Sequence, residues 1–359
     1  MEKKTRQEGP EVLRILAMLM IISMHYLQKG GVLTDFQEGI TPVNAAAWLV
    51  EALCIGASNA YVLISGYYLA EGQFRVGKLV SLVLQIWLYS VSIPLICLIT
   101  GIGGVRDWNL YDWAGVLLPL QSEHYWFATA YIGFYLFVPV LRMGVKGLDQ
   151  KQFQWLLGGL ILFFCLGKSL WPLALATDRY GYDTIWFLCL YLTAVYLKKY
   201  PIPFLQSPKR ALGLYLGAAI FIWAAGMGLD RLAGLGLPTG YAADMLYSYN
   251  HIAVLVLSIG LVSVFLNLRV SNRKSGAVIG FLASGTFGVY LLHENAAVRH
   301  LWQGWLGVGQ VRDSLLFLPH MLLSAAVVFL AGTLIDLPRR KAEQAVIRRI
   351  SRKGRGRGE

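Results

Sequence analysis

Charged residues are scarce in this chain of 359 amino acids. Asp, Glu, Lys and Arg together make up 14% of the sequence, whereas about a quarter is usual in a soluble domain. Hydrophobic residues reach 56%. These proportions exclude an ordinary soluble globular protein. The sequence predicts instead an all-α protein, a bundle of helices that crosses a membrane several times.

Cysteines and metal-binding patterns are also few. The four cysteines all lie in apolar runs, without CxxC spacing or the pairing pattern of extracellular proteins. This favours small core side chains over disulfides. The chain has no HExxH pattern, no Walker loop and no GxSxG elbow. Its six histidines are scattered over several regions, so zinc has little support and we predict no metal.

Long apolar runs, by contrast, are abundant. A helix that crosses a bilayer needs about 20 mostly apolar residues, and we count ten candidate stretches, joined by short loops. The predicted spans are 12–29, 45–69, 79–101, 124–142, 153–174, 184–198, 210–229, 248–267, 278–302 and 314–336. They form one predicted transmembrane domain over residues 1–337, without a convincing internal repeat.

The distribution of Lys and Arg predicts the orientation. With ten spans, 24 of the 32 Lys and Arg residues fall on the side that holds both termini, and six fall on the opposite side. Positive loops stay in the cytoplasm, so both termini are predicted to be cytoplasmic. Residues 338–359 carry nine positive charges, and we expect a disordered tail that contacts anionic lipid headgroups. Nucleic acid is a poor alternative partner, because no aromatic or folded module accompanies this charge.

The first apolar run carries two side chains, Arg14 and His25, that are costly inside a bilayer. Eleven steps along a helix return almost to the starting angle and rise about 16 Å. The two residues are therefore predicted to share one face, with Met18 and Ile21 between them. This alignment favours a face that lines a cavity. For each residue alone, the alternative is an arginine that reaches the headgroups and a hydrogen-bonded core histidine.

Further candidates lie near the predicted cytoplasmic ends of spans. Ser65 precedes Gly66 in the second span, where small residues also serve helix packing. Arg75 and Lys78 follow in the next loop. They could bind phosphate groups of a cytosolic ligand, or they could only obey the charge rule for cytoplasmic loops.

An acid and an imidazole occur side by side twice near the opposite ends of spans. Glu123 and His124 precede Trp126, and an aromatic belt at the membrane surface explains only the tryptophan. His293 and Glu294 fall inside the ninth predicted span, where such groups are functional candidates. Three further titratable residues belong to this group: Glu51, Lys168 and His300, the last predicted to share a face with His293.

The order of these residues resembles a known family. Arg14 and His25 are followed by LISGYYL at 63–69, HYWFATAYIGFYLFVP at 124–139 and FGVYLLHE at 287–294. In these features the chain resembles the acyltransferase-3 family of bacterial membrane proteins, which includes surface-polysaccharide O-acetyltransferases. The resemblance covers nearly the whole chain, and the spacing of Arg14 and His25 is its most specific element.

The resemblance implies roles for particular residues. It implies that His25 assists acyl transfer and that Arg14 contacts an acyl-CoA donor, expected to be acetyl-CoA. Ser65, Arg75 and Lys78 are expected to contribute to the same donor site. The dense arginine cluster that many members carry after the SGYYL-like segment is reduced here to Arg75 and Lys78. The expected location is the bacterial plasma membrane, and the expected acceptor is a carbohydrate or a lipid-linked sugar.

The chemistry of acyl transfer agrees with this pattern. A thioester is a good acyl donor, a sugar hydroxyl is a poor nucleophile, and imidazole is a base that works near neutral pH. We therefore predict an integral-membrane O-acyltransferase. Whether His25 acts as a base or is itself transiently acylated stays open. Its orienting carboxylate also stays open among Glu51, Glu123 and Glu294.

Two other functions are compatible with the sequence. A transporter or flippase for a glycan or a lipid-linked precursor would suit a ten-span bundle with buried histidines, but such proteins often show inverted repeats. A membrane sensor or scaffold with a degenerate site is the third hypothesis. The presence of both Arg14 and His25 argues against it.

Overall fold

The computed structural model of the protein describes residues 8–34, 40–122, 124–170, 179–268 and 273–355. Within these ranges the chain forms helices and no β-strand, which confirms the predicted all-α class. The α-helices are α1 (Gly9–Lys29), α2 (Pro42–Cys54), α3 (Ala57–Leu69), α4 (Val76–Thr100), α5 (Leu110–Leu117), α6 (Trp126–Lys146), α7 (Gln150–Ile161), α8 (Gly167–Leu170), α9 (Thr184–Lys199), α10 (Pro208–Gly234), α11 (Gly240–Met245), α12 (Ile252–Leu266), α13 (Arg273–Ala283), α14 (Thr286–His293), α15 (Trp302–Trp305) and α16 (Phe317–Arg355).

In the described part of the chain, seven helical segments are long and apolar enough to cross a membrane. They are Gly9–Lys29, Pro42–Leu69, Val76–Thr100, Trp126–Lys146, Pro208–Gly234, Ser275–His293 and Phe317–Ala345. The protein is therefore a multi-pass helical membrane protein. The count of ten spans and the cytoplasmic location of both termini stay predictions.

The three remaining predicted spans correspond to shorter or irregular helices. A π-helical stretch, Leu162–Leu166, joins α7 to α8, and the last four residues of the predicted span 153–174 lie outside the described residues. Helix α9 has 16 residues and α12 has 15. At 1.5 Å per residue they measure about 24 Å and 22 Å, less than the roughly 30 Å of a hydrocarbon core.

Two predicted spans are interrupted. The second divides into α2 and α3 at residues 55–56, and the ninth divides into α13 and α14 at residues 284–285. The ninth also ends earlier than predicted, because α14 stops at His293 and residues 294–301 form turns. His300 is consequently exposed and does not continue the helical face of His293, so the prediction of a shared face is wrong.

Helix α1 lies at the centre of the bundle. It packs against α2, α3, α12, α13, α14 and α16. Leu13, Ala17, Ile22 and Leu27 are fully buried, so most of the surface of this helix faces protein instead of lipid. A polar side chain on α1 therefore meets neighbouring helices, which lowers the cost of placing it within the membrane.

Gly66 lets two helices approach closely near the centre of the bundle. A Cβ atom at this position would lie 3.0 Å from Cβ of Ala194 and 3.2 Å from Cα of Tyr191, both on α9. Such contacts are tighter than side chains normally allow, so the close packing of α3 on α9 depends on glycine here.

Lipid-facing surfaces are evident on the outer helices. Leu84, Ile96 and Ile99 of α4 are 58–80% exposed, as are Leu322 and Leu323 of α16 at 65–66%. A soluble monomer rarely shows such continuous apolar surface. These faces suit contact with acyl chains of lipid.

The basic tail begins differently from the sequence expectation. The sequence predicts disorder from residue 338, whereas α16 continues through Pro338 to Arg355. Its first turns after Pro338 are tied by ion pairs: Arg339 forms two bonds to Asp336, at 2.6 and 3.1 Å, and one to Glu343 at 2.8 Å. Local charge pairing at spacings of three and four residues thus supports the helix beyond the proline.

Candidate active site

A cavity of about 340 Å³ lies along one face of α1. Both Arg14 and His25 line it, and Met18 and Ile21 lie on the same wall between them, as the period of the helix requires. The remaining lining residues are Met24, Ser58, Tyr61, Ser65, Lys78, Leu82, Trp126, Phe127, Tyr131, Tyr249, Ala283, Ser284, Thr286, Phe287 and Tyr290. The cavity therefore has an Arg14 end and a His25 end, separated by about 16 Å along the helix.

The Arg14 end is bounded by two cations. Arg14 donates from Nη1 to Oε1 of Glu11 at 3.0 Å, and its side chain is 30% exposed. The ammonium group of Lys78 lies 5.5 Å from the centre of the Tyr135 ring, and the residue is exposed. Two accessible cations at the end of a narrow cavity form a suitable contact for an anionic group.

Ser65 and Arg75, the two other residues predicted to contact the acyl-CoA donor, lie in different places. Ser65 lines the cavity and accepts a hydrogen bond from the hydroxyl of Tyr131 at 3.2 Å. Arg75 does not line the cavity. Its backbone N–H donates to the hydroxyl of Tyr135 at 3.2 Å, and its side chain is exposed at the N-terminus of α4. Arg75 could thus meet only the part of a ligand that extends out of the cavity.

At the His25 end, two histidines form a fixed pair. Nδ1 of His25 lies 3.1 Å from Nε2 of His293, and Nδ1 of His293 lies 2.7 Å from the carbonyl oxygen of Val289. A carbonyl only accepts, so His293 carries its proton on Nδ1 and, when neutral, accepts at Nε2. His25 must then donate from Nδ1. Its other nitrogen, Nε2, is left with a free lone pair, and no described residue is its hydrogen-bond partner.

The carboxylate beside His25 is Glu294. Its Oε1 atom lies 3.4 Å from Nδ1 of His25 and contacts the ammonium group of Lys29. Glu51, the second candidate, is buried and accepts a hydrogen bond from Gln28 at 2.8 Å. Glu123, the third, lies outside the described residues, as does the side chain of Lys168. Among the described carboxylates, Glu294 is thus the one in position to stabilise a positive charge on His25.

Asn295 anchors the turn that carries Glu294. Its amide nitrogen donates to the carbonyl of Tyr89 at 3.1 Å and to the hydroxyl of Tyr125 at 2.7 Å, and its amide oxygen accepts the N–H of Ala297 at 3.0 Å. The side chain is fully buried. Sequence reasoning missed Asn295, although a buried amide immediately after His293 and Glu294 is the kind of residue that fixes a turn.

His124 and Trp126 have different positions around the same end. His124 lies just before α6 and accepts the N–H of Ala296 at its Nε2, at 3.3 Å. Burial, and then the nearby charge of Arg299, lower the pKa of His124 to about 4, so the ring is neutral and supports the turn. Trp126 lines the cavity and stacks on Tyr249, with ring centres 5.4 Å apart. The sequence did not distinguish these two roles.

The arrangement can perform general base chemistry at one end and bind an anion at the other. In the described part of the chain, no three His, Cys, Asp or Glu residues are grouped to hold a metal ion. The sequence expectation of a site without metal stays a prediction. The catalytic and binding roles of the residues named above are likewise predictions from their chemistry and positions.

Comparison with known proteins adds the family. No curated protein and no solved structure matches the chain significantly. The family model described as an acyltransferase domain, acyltransferase-3, matches residues 7–337, which is nearly the whole chain. The protein is therefore a membrane acyltransferase and belongs to the acyltransferase-3 family.

Proposed function

We propose that the protein is an O-acyltransferase of the bacterial plasma membrane, which transfers an acetyl or similarly short acyl group from acyl-CoA to a hydroxyl of a surface or exported glycan. One observation carries the proposal. Arg14 and His25 line a single cavity, with accessible cations at one end and an imidazole with a free nitrogen at the other.

The Arg14 end suits the donor. Coenzyme A is polyanionic, and Arg14 and Lys78 offer positive charge where its phosphates would lie. The apolar and aromatic wall between the two ends, including Met18, Ile21 and Phe127, suits the thin, largely uncharged arm that carries the thioester. In the proposed orientation this end faces the cytoplasm, where acyl-CoA is available, in agreement with the charge distribution of the loops.

The His25 end suits the chemical step. Nε2 of His25 takes the proton of the acceptor hydroxyl while the hydroxyl oxygen attacks the carbonyl carbon of the thioester. The new C–O bond replaces the C–S bond, and the proton on His25 passes to the departing thiolate, which restores the neutral ring. Glu294, 3.4 Å from Nδ1 of His25, stabilises the imidazolium between these two proton transfers.

The experiment that tests the proposal is transfer of radioactive acetyl groups from acetyl-CoA. Membranes that contain the full-length protein and its cellular glycan are incubated with labelled acetyl-CoA, and the label in the glycan fraction is counted. We expect label with the native protein and a loss of at least about a hundredfold with His25→Ala, since a positioned base contributes about 10²- to 10⁴-fold.

The control is Cys189→Ala on α9, which changes a buried cysteine that does not line the cavity. It should label as the native protein does. If His25→Ala transfers as much label as the control, the role given to His25 is wrong. A different result would indicate a transporter: neither the native protein nor any variant transfers label to glycan, but a fluorescent glycan crosses the membrane of liposomes that contain the protein, without any acyl donor. The protein would then move glycans instead of acylating them.

A further inference from the structure

An arginine beside the His25 end has no use in the mechanism above. Arg299 lies in the turn after α14 and is half-buried. Its Nε atom is buried and has no hydrogen-bond partner among the described residues. Three other described arginines form ion pairs, Arg14 with Glu11, Arg312 with Asp313 and Arg339 with Asp336. A partly buried guanidinium whose Nε has no described partner is free to bind an anionic group.

The backbone of Arg299 is fixed close to His25. Its N–H donates to the carbonyl of Asn295 at 2.8 Å. The side-chain amide of Gln303 donates to the carbonyl oxygens of both Arg299, at 3.0 Å, and His25, at 3.4 Å. One buried amide therefore bridges the two residues. The backbone of Arg299 is thereby tied to the backbone that carries the proposed base.

The local charge is positive among the described residues. Arg299 and Lys29 are cations, and the neighbouring carboxylate of Glu294 already contacts Lys29 and lies near His25. At His124, burial and then the charge of Arg299 lower the pKa. At the exposed His300, burial lowers the pKa most, followed by the charges of Lys29 and Arg299. The carboxylate of Glu294 thus already has Lys29 as its cationic partner, and the guanidinium of Arg299 is available to an external anion.

We propose that Arg299 binds a negatively charged group of the acceptor, so that the acceptor is an acidic sugar or a sugar phosphate. This inference rests on the proposed function and names its acceptor class. A planar guanidinium binds a carboxylate or a phosphate through two parallel hydrogen bonds. An anionic group held there would place a neighbouring hydroxyl of the same sugar close to His25.

The test measures binding without any acyl donor. Full-length protein is placed in nanodiscs of zwitterionic phosphatidylcholine, and the affinities of glucose, glucuronate and glucose 1-phosphate are compared by saturation-transfer NMR. The variants are Arg299→Gln, Arg299→Lys and the control Arg312→Gln, which removes an exposed arginine that is paired with its neighbour Asp313. Elution volume and acetyl-CoA binding confirm that each variant is folded.

We expect one or both anionic sugars to bind at least about tenfold more tightly than glucose, since a hydrogen bond to a charged group is worth about that factor or more. The preferred anion separates a carboxylate from a phosphate. Arg299→Gln should lose the preference, Arg299→Lys should keep part of it, and the control should keep all of it.

Three results would overturn the inference. Glucose could bind as tightly as both anions, or Arg299→Gln could keep the preference. The preference could also vanish when phosphatidylglycerol is added to the nanodiscs, which would make Arg299 a lipid-phosphate site. Failure of acetyl transfer with an intact preference would instead count against the proposed function, so the two failures are distinguishable.

Discussion

The two ends of the cavity are built differently. At the His25 end the side chains of His25, Lys29 and Glu294 are 9–16% exposed, and each contacts at least one of the others or His293. At the Arg14 end, Arg14 is 30% exposed, Lys78 is more exposed still, and their contacts are an ion pair within one helix and an aromatic ring. One end is rigid and preorganised, and the other is accessible and adaptable.

This difference fits a division between chemistry and binding. Groups that stabilise a transition state act best when they are fixed before the reaction. Groups that capture a soluble, charged donor must be reachable from water, and long flexible cations serve that purpose. Substitutions at the His25 end should therefore lower kcat, whereas substitutions at the Arg14 end should raise the donor KM.

The largest effect in this comparison is expected for Glu294→Gln. The change keeps the shape of the side chain and removes the negative charge 3.4 Å from Nδ1 of His25. Hydrogen bonds and contacts that involve a charged partner contribute about 1.5–3 kcal/mol, so kcat should fall about tenfold to a hundredfold. The donor KM should stay within about twofold. Steady-state transfer from labelled acetyl-CoA measures both constants.

Glu343→Gln provides the matched control for this substitution. Glu343 also pairs with a cation, Arg339, but on α16 and away from the cavity. Its replacement should leave kcat unchanged. An unchanged kcat in Glu294→Gln as well would mean that the carboxylate only neutralises Lys29.

The next effect concerns the anchor of the same turn. Asn295→Ala removes two donated hydrogen bonds and leaves the carbonyl of Tyr89 buried without this partner. We expect a loss of about 1–3 kcal/mol of stability and a kcat that falls about tenfold, because the position of Glu294 is no longer fixed. Thermal unfolding in detergent and steady-state transfer measure the two quantities.

A substitution at a helix cap outside the cavity distinguishes a loss of the position of Glu294 from a general loss of protein stability. Asn109 caps α5 through the N–H groups of Tyr111 and Asp112, in an exposed region. Asn109→Ala should lower stability by about 1 kcal/mol without changing kcat. If both asparagine variants lower kcat in proportion to their loss of stability, Asn295 has no specific effect on the site.

The accessible end is tested by Arg14→Gln. Loss of one charge-assisted contact should raise the donor KM about tenfold, with a smaller change in kcat. The difference between native protein and variant should shrink at high salt, since exposed charges are screened beyond about 10 Å at 0.1 M salt. The control is Lys146→Gln, which removes an exposed cation at the end of α6, away from the cavity. A fall in kcat at constant KM would place Arg14 with the chemistry instead.

The sequence predicted the two ends to different degrees. Arg14 and His25 lie on one helix, so the period of that helix alone determines that they share a face, and the cavity agrees with it. The contacts of His25 with His293 and Glu294 join residues 268 and 269 positions apart. Such contacts depend on how the helices pack, and no local pattern distinguishes Glu294 from Glu51.

The predicted ends of the helices also differ from the observed ends, for a physical reason. Apolar composition marks residues that avoid water, but it does not mark where hydrogen bonding along a helix stops. The breaks at residues 55–56 and 284–285 lie inside the predicted spans 45–69 and 278–302. Conversely, the last predicted span ends at residue 336, whereas α16 continues past Pro338, where Arg339 pairs with Asp336 and Glu343.

The smallest effect is expected for Glu11→Gln, also at the accessible end. Glu11 pairs with Arg14 at 3.0 Å, so a donor phosphate that binds Arg14 must replace or share this carboxylate. Partly exposed ion pairs are worth about 0.2–1 kcal/mol, and the donor KM should therefore fall by less than about fivefold, with kcat unchanged. The double variant Glu11→Gln with Arg14→Gln should show no further fall relative to Arg14→Gln alone. A KM that rises in Glu11→Gln would mean that the carboxylate positions Arg14 for the donor instead of competing with it, and the Arg14 end would then be as preorganised as the His25 end.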